Sequence, residues 1–178
     1  MPFAVQLFFD SISEAIIRNA QEELAKDGVS FSTRDANVRP SLTLALYEEL
    51  DIAACASKLK VFAEMFSPFA LTFSCLGIFP GGKAVVYLAP TVNQKLLDIQ
   101  AYVHQLLKEN GTSSSTMYVP GYWIPHCTLA LDIEPKLTAR AIEIGLTMPF
   151  PVHCRVEEIG VVECWPVKHI YSFRLGGG

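Results

Sequence analysis

Hydrophobic and polar residues follow two periods along the chain, one typical of strands and one typical of helices. Alternating or apolar segments predict strands at 3–9, 42–46, 69–76, 83–89, 127–131, 152–163 and 168–174. Apolar residues at helical spacing predict four helices, at about 11–26, 51–66, 90–109 and 135–146. Ser11 or Ser13 is expected to cap the first helix and Asp51 the second. Pro80-Gly81-Gly82 predicts a hairpin turn, and residues 112–125, with Ser113-Ser114-Ser115, predict a polar and aromatic loop.

An internal repeat divides the chain into two similar halves. Residues 39–46 (RPSLTLAL) align with residues 124–131 (IPHCTLAL), and a helix is predicted after each copy. A second pair, Leu76-Gly77-Ile78 and Ile159-Gly160-Val161, repeats in the same order at nearly the same offset. Two copies of one α+β unit predict a two-lobed, pseudo-twofold fold with a cleft between the lobes.

Alternation along the two repeated strands assigns their faces. Ser41, Thr43 and Ala45 share one face in the first copy, and His126, Thr128 and Ala130 share it in the second. The leucines occupy the opposite face, which is expected to pack on helices. Two short polar pairs are therefore predicted to face each other across the cleft.

Composition limits the kind of partner. The chain has 178 residues, 51% hydrophobic and 18% charged, with a net charge of −4. We expect one domain at 1–175 with a short glycine tail at 176–178, no membrane span and no secretory leader. The acidic balance argues against a duplex-DNA surface but allows a small phosphate ligand in a local pocket. The five cysteines show no CxxC spacing, which predicts buried free thiols and no zinc site.

The repeated motif resembles that of the 2H phosphoesterase superfamily, the 2'-5' RNA ligase and cyclic phosphodiesterase-like proteins. These proteins carry His-x-Thr/Ser-hydrophobic twice, once in each lobe. His126-Cys127-Thr128-Leu129 matches fully, whereas Ser41 stands in the place of the first histidine. The similarity covers residues 3–174. It implies antiparallel sheets forming a central cleft, with helices outside.

The resemblance also implies a reaction and a site. Opening a 2',3'-cyclic phosphate needs a base for water and an acid for the leaving ribose oxygen, and histidine titrates in the right range for both. The implied catalytic residues are His126, Thr128, Thr43 and Ser41, with no metal and no cofactor.

The candidate substrate-binding residues come from their places in the sequence. Tyr122 and Trp123 stand just before the second motif and either stack on a base or pack the loop. Gln6 and Phe8 alternate away from their apolar neighbours toward the cleft floor, and Arg39 is either a phosphate partner or a solvent-exposed charge. The expected partner is a nucleoside cyclic phosphate or an RNA-end phosphate. The protein itself is expected to be a cytoplasmic monomer.

Ser41 leaves three interpretations open, because a serine hydroxyl is too weak an acid or base near pH 7. In the first, Ser41 is an engineered change that traps a ligand. In the second, it is a natural change that leaves a slow enzyme or a phosphate-binding relic. In the third, another group supplies the proton transfer that the first histidine would perform. Tyr122 and His169 are the candidates for that compensation. The alternative to a phosphoesterase is a non-catalytic module that binds a phosphorylated small molecule or RNA end, and a scaffold with a vestigial cleft is a third.

Overall fold

A computed structural model describes residues 2–31, 38–113 and 115–176. Ser114 of the predicted loop, and Gly177 and Gly178 of the predicted tail, lie outside the described residues. The strands are β1 (Phe3–Phe9), β2 (Ser41–Leu50), β3 (Phe69–Phe79), β4 (Ala84–Pro90), β5 (Gly111–Ser113), β6 (Cys127–Ile133), β7 (Val152–Cys164) and β8 (Val167–Arg174). The helices are α1 (Ser11–Lys26), α2 (Ile52–Met65), α3 (Gln94–Leu107) and α4 (Thr138–Gly145).

Each of the first three helices begins at a side chain that accepts hydrogen bonds from exposed backbone N–H groups. Asp51 caps α2 as predicted, by accepting from the Ala54 N–H. The predicted cap of α1 was wrong, because Asp10 accepts from the N–H groups of Ile12 and Ser13. The start of α3 was also predicted too early: Pro90 still belongs to β4, and Asn93 caps the helix.

The strands form one antiparallel sheet in the order β5-β2-β1-β7-β3-β4-β6, with β8 paired to β7. This confirms the α+β class. Although β2 and β6 lie near opposite ends of this order, they contact each other, so the sheet curves round and brings the two repeated strands together. Helix α1 packs on β6 and α3 packs on β2.

The pairing of β3 with β7 shows the pseudo-twofold relation directly. Leu71 lies opposite Cys154, and these two residues are separated by 83 positions, the offset between the two glycine-centred segments of the repeat. Equivalent residues can pair with each other in antiparallel strands only where a twofold axis passes between them. The axis therefore crosses the sheet at this pair.

Both repeated strands contain a β-bulge at the same place in the repeat. The register between β1 and β2 shifts at Leu44, and the register between β4 and β6 shifts at Leu129. A bulge inserts one residue and reverses the faces beyond it. The prediction that Ala45 and Ala130 face the cleft was therefore wrong, since both belong to the buried core.

The core lies between the sheet and the helices. Its largest members are Tyr47, Phe9, Phe62 and Phe73. Cys55, Cys127 and Cys154 are buried as predicted, whereas Cys75 is exposed and Cys164 is half-buried. No helix of the described residues combines the length and the apolar character needed to cross a membrane.

Candidate active site

The curvature of the sheet places four motif side chains around one small cavity. Ser41 and Thr43 of β2 line one side, and His126 and Thr128 line the other. We call this space, of about 160 Å³, the motif cavity. The alternation that puts Ser41 and Thr43 on one face precedes the bulge at Leu44, and the same holds for His126 and Thr128 before Leu129. The predicted meeting of the two motifs across the cleft is what the structure shows.

His126 is held in one orientation by its own backbone. Its Nδ1 lies 2.8 Å from the carbonyl oxygen of Ile124. A carbonyl can only accept, so Nδ1 carries the proton and Nε2 keeps its lone pair in the neutral ring. The ring packs edge-on to Phe79, with centroids 4.9 Å apart, and beside Tyr87 at 5.3 Å.

This environment also sets the charge of His126. Burial lowers the pKa of the imidazole, and the hydrogen bond to Ile124 opposes that effect only in part. The pKa lies below its ordinary value of 6.5, so the ring is neutral at pH 7. Neutral His126 can accept a proton but has no acidic proton to donate from Nε2.

Thr43 is fixed by two contacts. Gln6 Nε2 donates to Thr43 Oγ1 at 3.1 Å, and the Trp123 indole N–H donates to the Thr43 carbonyl at 3.0 Å. A hydroxyl that accepts from Gln6 keeps its own proton for another acceptor. Thr43 can therefore donate a hydrogen bond into the motif cavity.

Buried glutamines of two helices hydrogen-bond to both bulged strands. Gln21 of α1, only 4% exposed, donates from Nε2 to the Thr128 carbonyl at 3.0 Å. Gln100 of α3 donates to the Leu44 carbonyl at 3.2 Å. A bulge interrupts the ladder of backbone hydrogen bonds, and buried carbonyls beside it need other donors. The two amides supply them at nearly equivalent places in the two halves.

The repeated glycines are explained by what lies across the sheet from them. Gly77 pairs with Tyr87, which pairs in turn with Thr128. A Cβ on Gly77 would overlap the Tyr87 ring, so the glycine makes room for this ring to lie beside His126. Gly160 occupies the equivalent position opposite Gln6, but there a Cβ would meet the backbone of β8.

Arg39, predicted to bind substrate, lines the motif cavity and also pairs with two carboxylates. Its guanidinium donates to Glu14 at 2.6 Å and to Glu158 at 3.2 Å, and it lies over the Phe8 ring, 4.4 Å from the centroid. Burial alone raises the pKa of Glu158, but hydrogen bonds from Arg39 and Ser172 outweigh it and leave the pKa below its usual value. Arg39 and Glu158 both stay charged, so the ion pairs of Arg39 link the segment just before β2 to α1 and β7.

A larger pocket of about 500 Å³ opens beside the motif cavity and shares His126, Thr128 and Leu131 with it. We call it the aromatic pocket. Its remaining lining residues are Phe79, Pro80, Val85, Met117, Tyr118, Tyr122 and Ile124. Tyr122, predicted to touch substrate, is 76% exposed at this pocket.

Of the other predicted substrate contacts, Gln6 lines the motif cavity, whereas Trp123 and Phe8 line neither the motif cavity nor the aromatic pocket. Trp123 is 8% exposed and packs in the core, where its indole holds Thr43. Phe8 is fully buried beneath Arg39. His169 lines a neighbouring pocket with Gln6 and Arg39 and does not line the motif cavity, so the structure does not bring it to His126.

Sequence reasoning missed four aromatic residues at the site. Phe79, Tyr87 and Tyr118 lie around His126, and Trp165 lines the motif cavity from the turn between β7 and β8. Tyr87 could have been found from its predicted strand, since it follows the alternation of β4. Nothing in the local sequence indicates where a turn residue such as Trp165 will point.

An α+β fold with a pseudo-twofold axis, and with one Ser/His-x-Thr strand from each half facing a shared cavity, is the architecture of a 2H phosphoesterase. The model of the 2'-5' RNA ligase superfamily matches residues 8–164, so the chain belongs to that superfamily. The resemblance seen in the motifs is thereby confirmed. A comparison with curated proteins gives no match.

Solved structures share the fold at low sequence identity. The protein TT0787 of Thermus thermophilus is 19% identical, with a TM-score of 0.63 over 99% of each chain. Escherichia coli LigT in its apo form is 16% identical, with a TM-score of 0.62 over 98% of this chain and 96% of LigT. Escherichia coli LigT complexed with 3'-AMP is 18% identical, with a TM-score of 0.61 over 98% of this chain and 99% of LigT.

Proposed function

We propose that this protein is a metal-independent phosphoesterase that opens the 2',3'-cyclic phosphates of nucleotides or RNA ends, slowly, because Ser41 replaces one of its two histidines. The observation that carries the proposal is the convergence of Ser41, Thr43, His126 and Thr128 on one cavity of about 160 Å³. The crystallisation of LigT with 3'-AMP and with phosphate supports a nucleotide phosphate as the ligand of this fold.

The chemistry follows from the state of each side chain. A water molecule attacks phosphorus, and neutral His126 takes its proton at Nε2. The bond from phosphorus to one ribose oxygen breaks, and that oxygen needs a proton. Thr43 and Thr128 can donate hydrogen bonds to the phosphoryl oxygens as charge builds on them. These three residues supply the base and the charge stabilisation of the reaction.

The missing part is the acid. Ser41 occupies the place from which a second histidine would protonate the leaving oxygen, and its hydroxyl is far too weak an acid at neutral pH. The leaving oxygen must take its proton from solvent, which slows the reaction. Loss of one general acid or base typically costs about 10²–10⁴ in rate. The same observation favours the second candidate function, a module that binds the phosphate without turning it over.

Restoring the histidine at position 41 distinguishes the slow phosphoesterase from the binding module. We expect Ser41→His to raise kcat for 2',3'-cyclic AMP by roughly 10²-fold or more, measured with a chelator present. Ser41→Ala is the matched control, since it changes the same position without adding an acid. Adding His126→Ala to the restored variant should remove the gain.

Two outcomes contradict the proposal. If Ser41→His hydrolyses cyclic AMP no faster than the parent while still binding it, the chain is a binding module. If the parent turns over and His126→Ala leaves its rate unchanged, the assignment of the site is wrong.

A further inference from the structure

We propose that Gln100, a buried residue that does not line the motif cavity, is a positioning residue that fixes His126 relative to Thr43. Its side-chain amide joins the first motif strand to the loop that orients His126. The inference rests on the proposed function for its kinetic readout alone, because the contacts that carry it are present without a substrate.

Gln100 lies on α3 and makes two hydrogen bonds from one amide group. Its side chain is 2% exposed. Nε2 donates to the Leu44 carbonyl at 3.2 Å and to the Tyr118 carbonyl at 2.6 Å. An amide nitrogen carries two protons, so these two acceptors use both of them. Leu44 follows Thr43 in β2, whereas Tyr118 belongs to the loop before β6. The amide therefore bridges two segments that are distant in the sequence.

The β-bulge in β2 makes the first of these attachment points available. The register between β1 and β2 shifts at Leu44, and a bulge interrupts the ladder of backbone hydrogen bonds. A buried carbonyl beside the bulge needs a donor from elsewhere, and Gln100 supplies it. The bulge thus ends the run of side chains that face the cavity after Thr43 and provides an acceptor to which α3 can bind.

The loop at the second attachment point supplies the groups that orient His126. The Ile124 carbonyl accepts from His126 Nδ1 at 2.8 Å, and the Tyr118 ring lies 6.2 Å from the imidazole, measured between centroids. From the same loop, the Trp123 indole donates to the Thr43 carbonyl at 3.0 Å. The loop is therefore fastened to two successive carbonyls of β2. A displacement of the loop would change the orientation of His126 with respect to Thr43.

Such a displacement should act on the chemical step more than on substrate binding. A catalytic group that is misplaced by about 1 Å can cost up to 10²-fold in rate. An interaction that matters only in the transition state lowers kcat and leaves KM nearly unchanged. We therefore expect the loss of the Gln100 amide to appear mainly in kcat.

Gln100→Met tests the inference, because methionine fills a similar volume but donates no hydrogen bond. We expect kcat for 2',3'-cyclic AMP to fall roughly tenfold or more, with KM within about threefold of the parent value. An NMR titration of His126 should show its pKa rising toward the ordinary value of 6.5, since a loosened loop admits water to the imidazole. This titration needs neither substrate nor turnover.

Tyr171→Phe is the matched control. The Tyr171 hydroxyl donates to the Ile52 carbonyl at 3.3 Å, and Tyr171 lines neither the motif cavity nor the aromatic pocket. Its loss also removes a side-chain donor from a backbone carbonyl, but at a place that does not orient His126. We expect Tyr171→Phe to lower the free energy of unfolding and to leave kcat and the pKa of His126 unchanged.

Gln100→Asn is a milder variant that carries the test if Gln100→Met does not fold. It keeps an amide but is shorter by one methylene, so it cannot reach both carbonyls, and it should shift kcat and the His126 titration in the same direction. If the variants of Gln100 lose stability while kcat and the His126 titration stay at their parent values, the residue is only structural and the inference is overturned. A shifted titration in a protein that does not turn over cyclic AMP would overturn the reaction and keep the positioning role.

Discussion

His126 is a histidine whose surroundings determine which half of acid–base chemistry it can perform. Aromatic rings on several sides keep water from the imidazole and lower its pKa, and the Ile124 carbonyl fixes the proton on Nδ1. The lone pair therefore lies on Nε2 at neutral pH. Across the motif cavity stands Ser41, which can neither accept nor donate a proton efficiently there. The site has a base without its acid.

This asymmetry predicts the shape of the pH profile. A histidine with a lowered pKa is neutral above its ordinary value of 6.5 and becomes protonated only further into the acid range. We expect kcat/KM to be flat above about pH 6.5 and to fall in acid with a midpoint below that value. The profile of cyclic AMP hydrolysis, together with an NMR titration of His126, measures both quantities.

The restored variant provides the comparison. In Ser41→His the second imidazole must be protonated to act as an acid, so its rate should fall on the alkaline side as well and give a bell-shaped profile. A parent profile that rises as the pH is lowered would contradict the role of His126 as the base.

Local alternation predicted most of the strands and helices, because it depends on which face of each element is buried. It predicted the Ser41–Thr43 and His126–Thr128 pairs correctly, since these precede the bulges. It failed at Ala45 and Ala130, because a bulge depends on the hydrogen bonds of a paired strand that is distant in sequence. The burial of Trp123 was not predicted for a similar reason: its indole N–H donates to the Thr43 carbonyl, which is 80 residues away in the sequence.

Gly77 and Gly160 are equivalent in the repeat but are required for different reasons, and substitution should separate them. A methyl group on Gly77 meets the ring of Tyr87, which a second mutation can remove. We expect Gly77→Ala to lower the free energy of unfolding by about 1–3 kcal/mol through overpacking. Combined with Tyr87→Ala, it should cost less than the sum of the two single changes. Urea denaturation of the four proteins measures this coupling.

Two further glycine variants serve as comparisons for the effect of Gly77→Ala. Gly82→Ala is the neutral control, because a Cβ there has nothing within 4 Å. Gly160→Ala should destabilise the fold whatever side chains surround it, since its Cβ would meet the backbone of Tyr171 and Ser172. Additive effects of Gly77→Ala and Tyr87→Ala would show that the ring does not depend on the glycine.

The two halves of the molecule support each other's motif. The first helix holds the second motif strand through Gln21, and the third helix holds the first motif strand through Gln100. The central strands β3 and β7, one from each half, pair at the pseudo-twofold axis. Neither motif strand is therefore supported by its own half alone, and the geometry of the cavity depends on both halves being folded.

This exchange of support predicts that the chain unfolds in one step. Both tryptophans, Trp123 and Trp165, lie in the second half, so fluorescence reports that half, while far-ultraviolet circular dichroism reports helices and strands of both. If the halves depend on each other, the two signals should follow the same urea curve. In Trp165→Phe, Trp123 remains as the sole reporter, and its contact with the Thr43 carbonyl places it at the junction of the halves. Curves with separate midpoints would mean that one half keeps its structure without the other, and the motif cavity would then be a contact between two independent units.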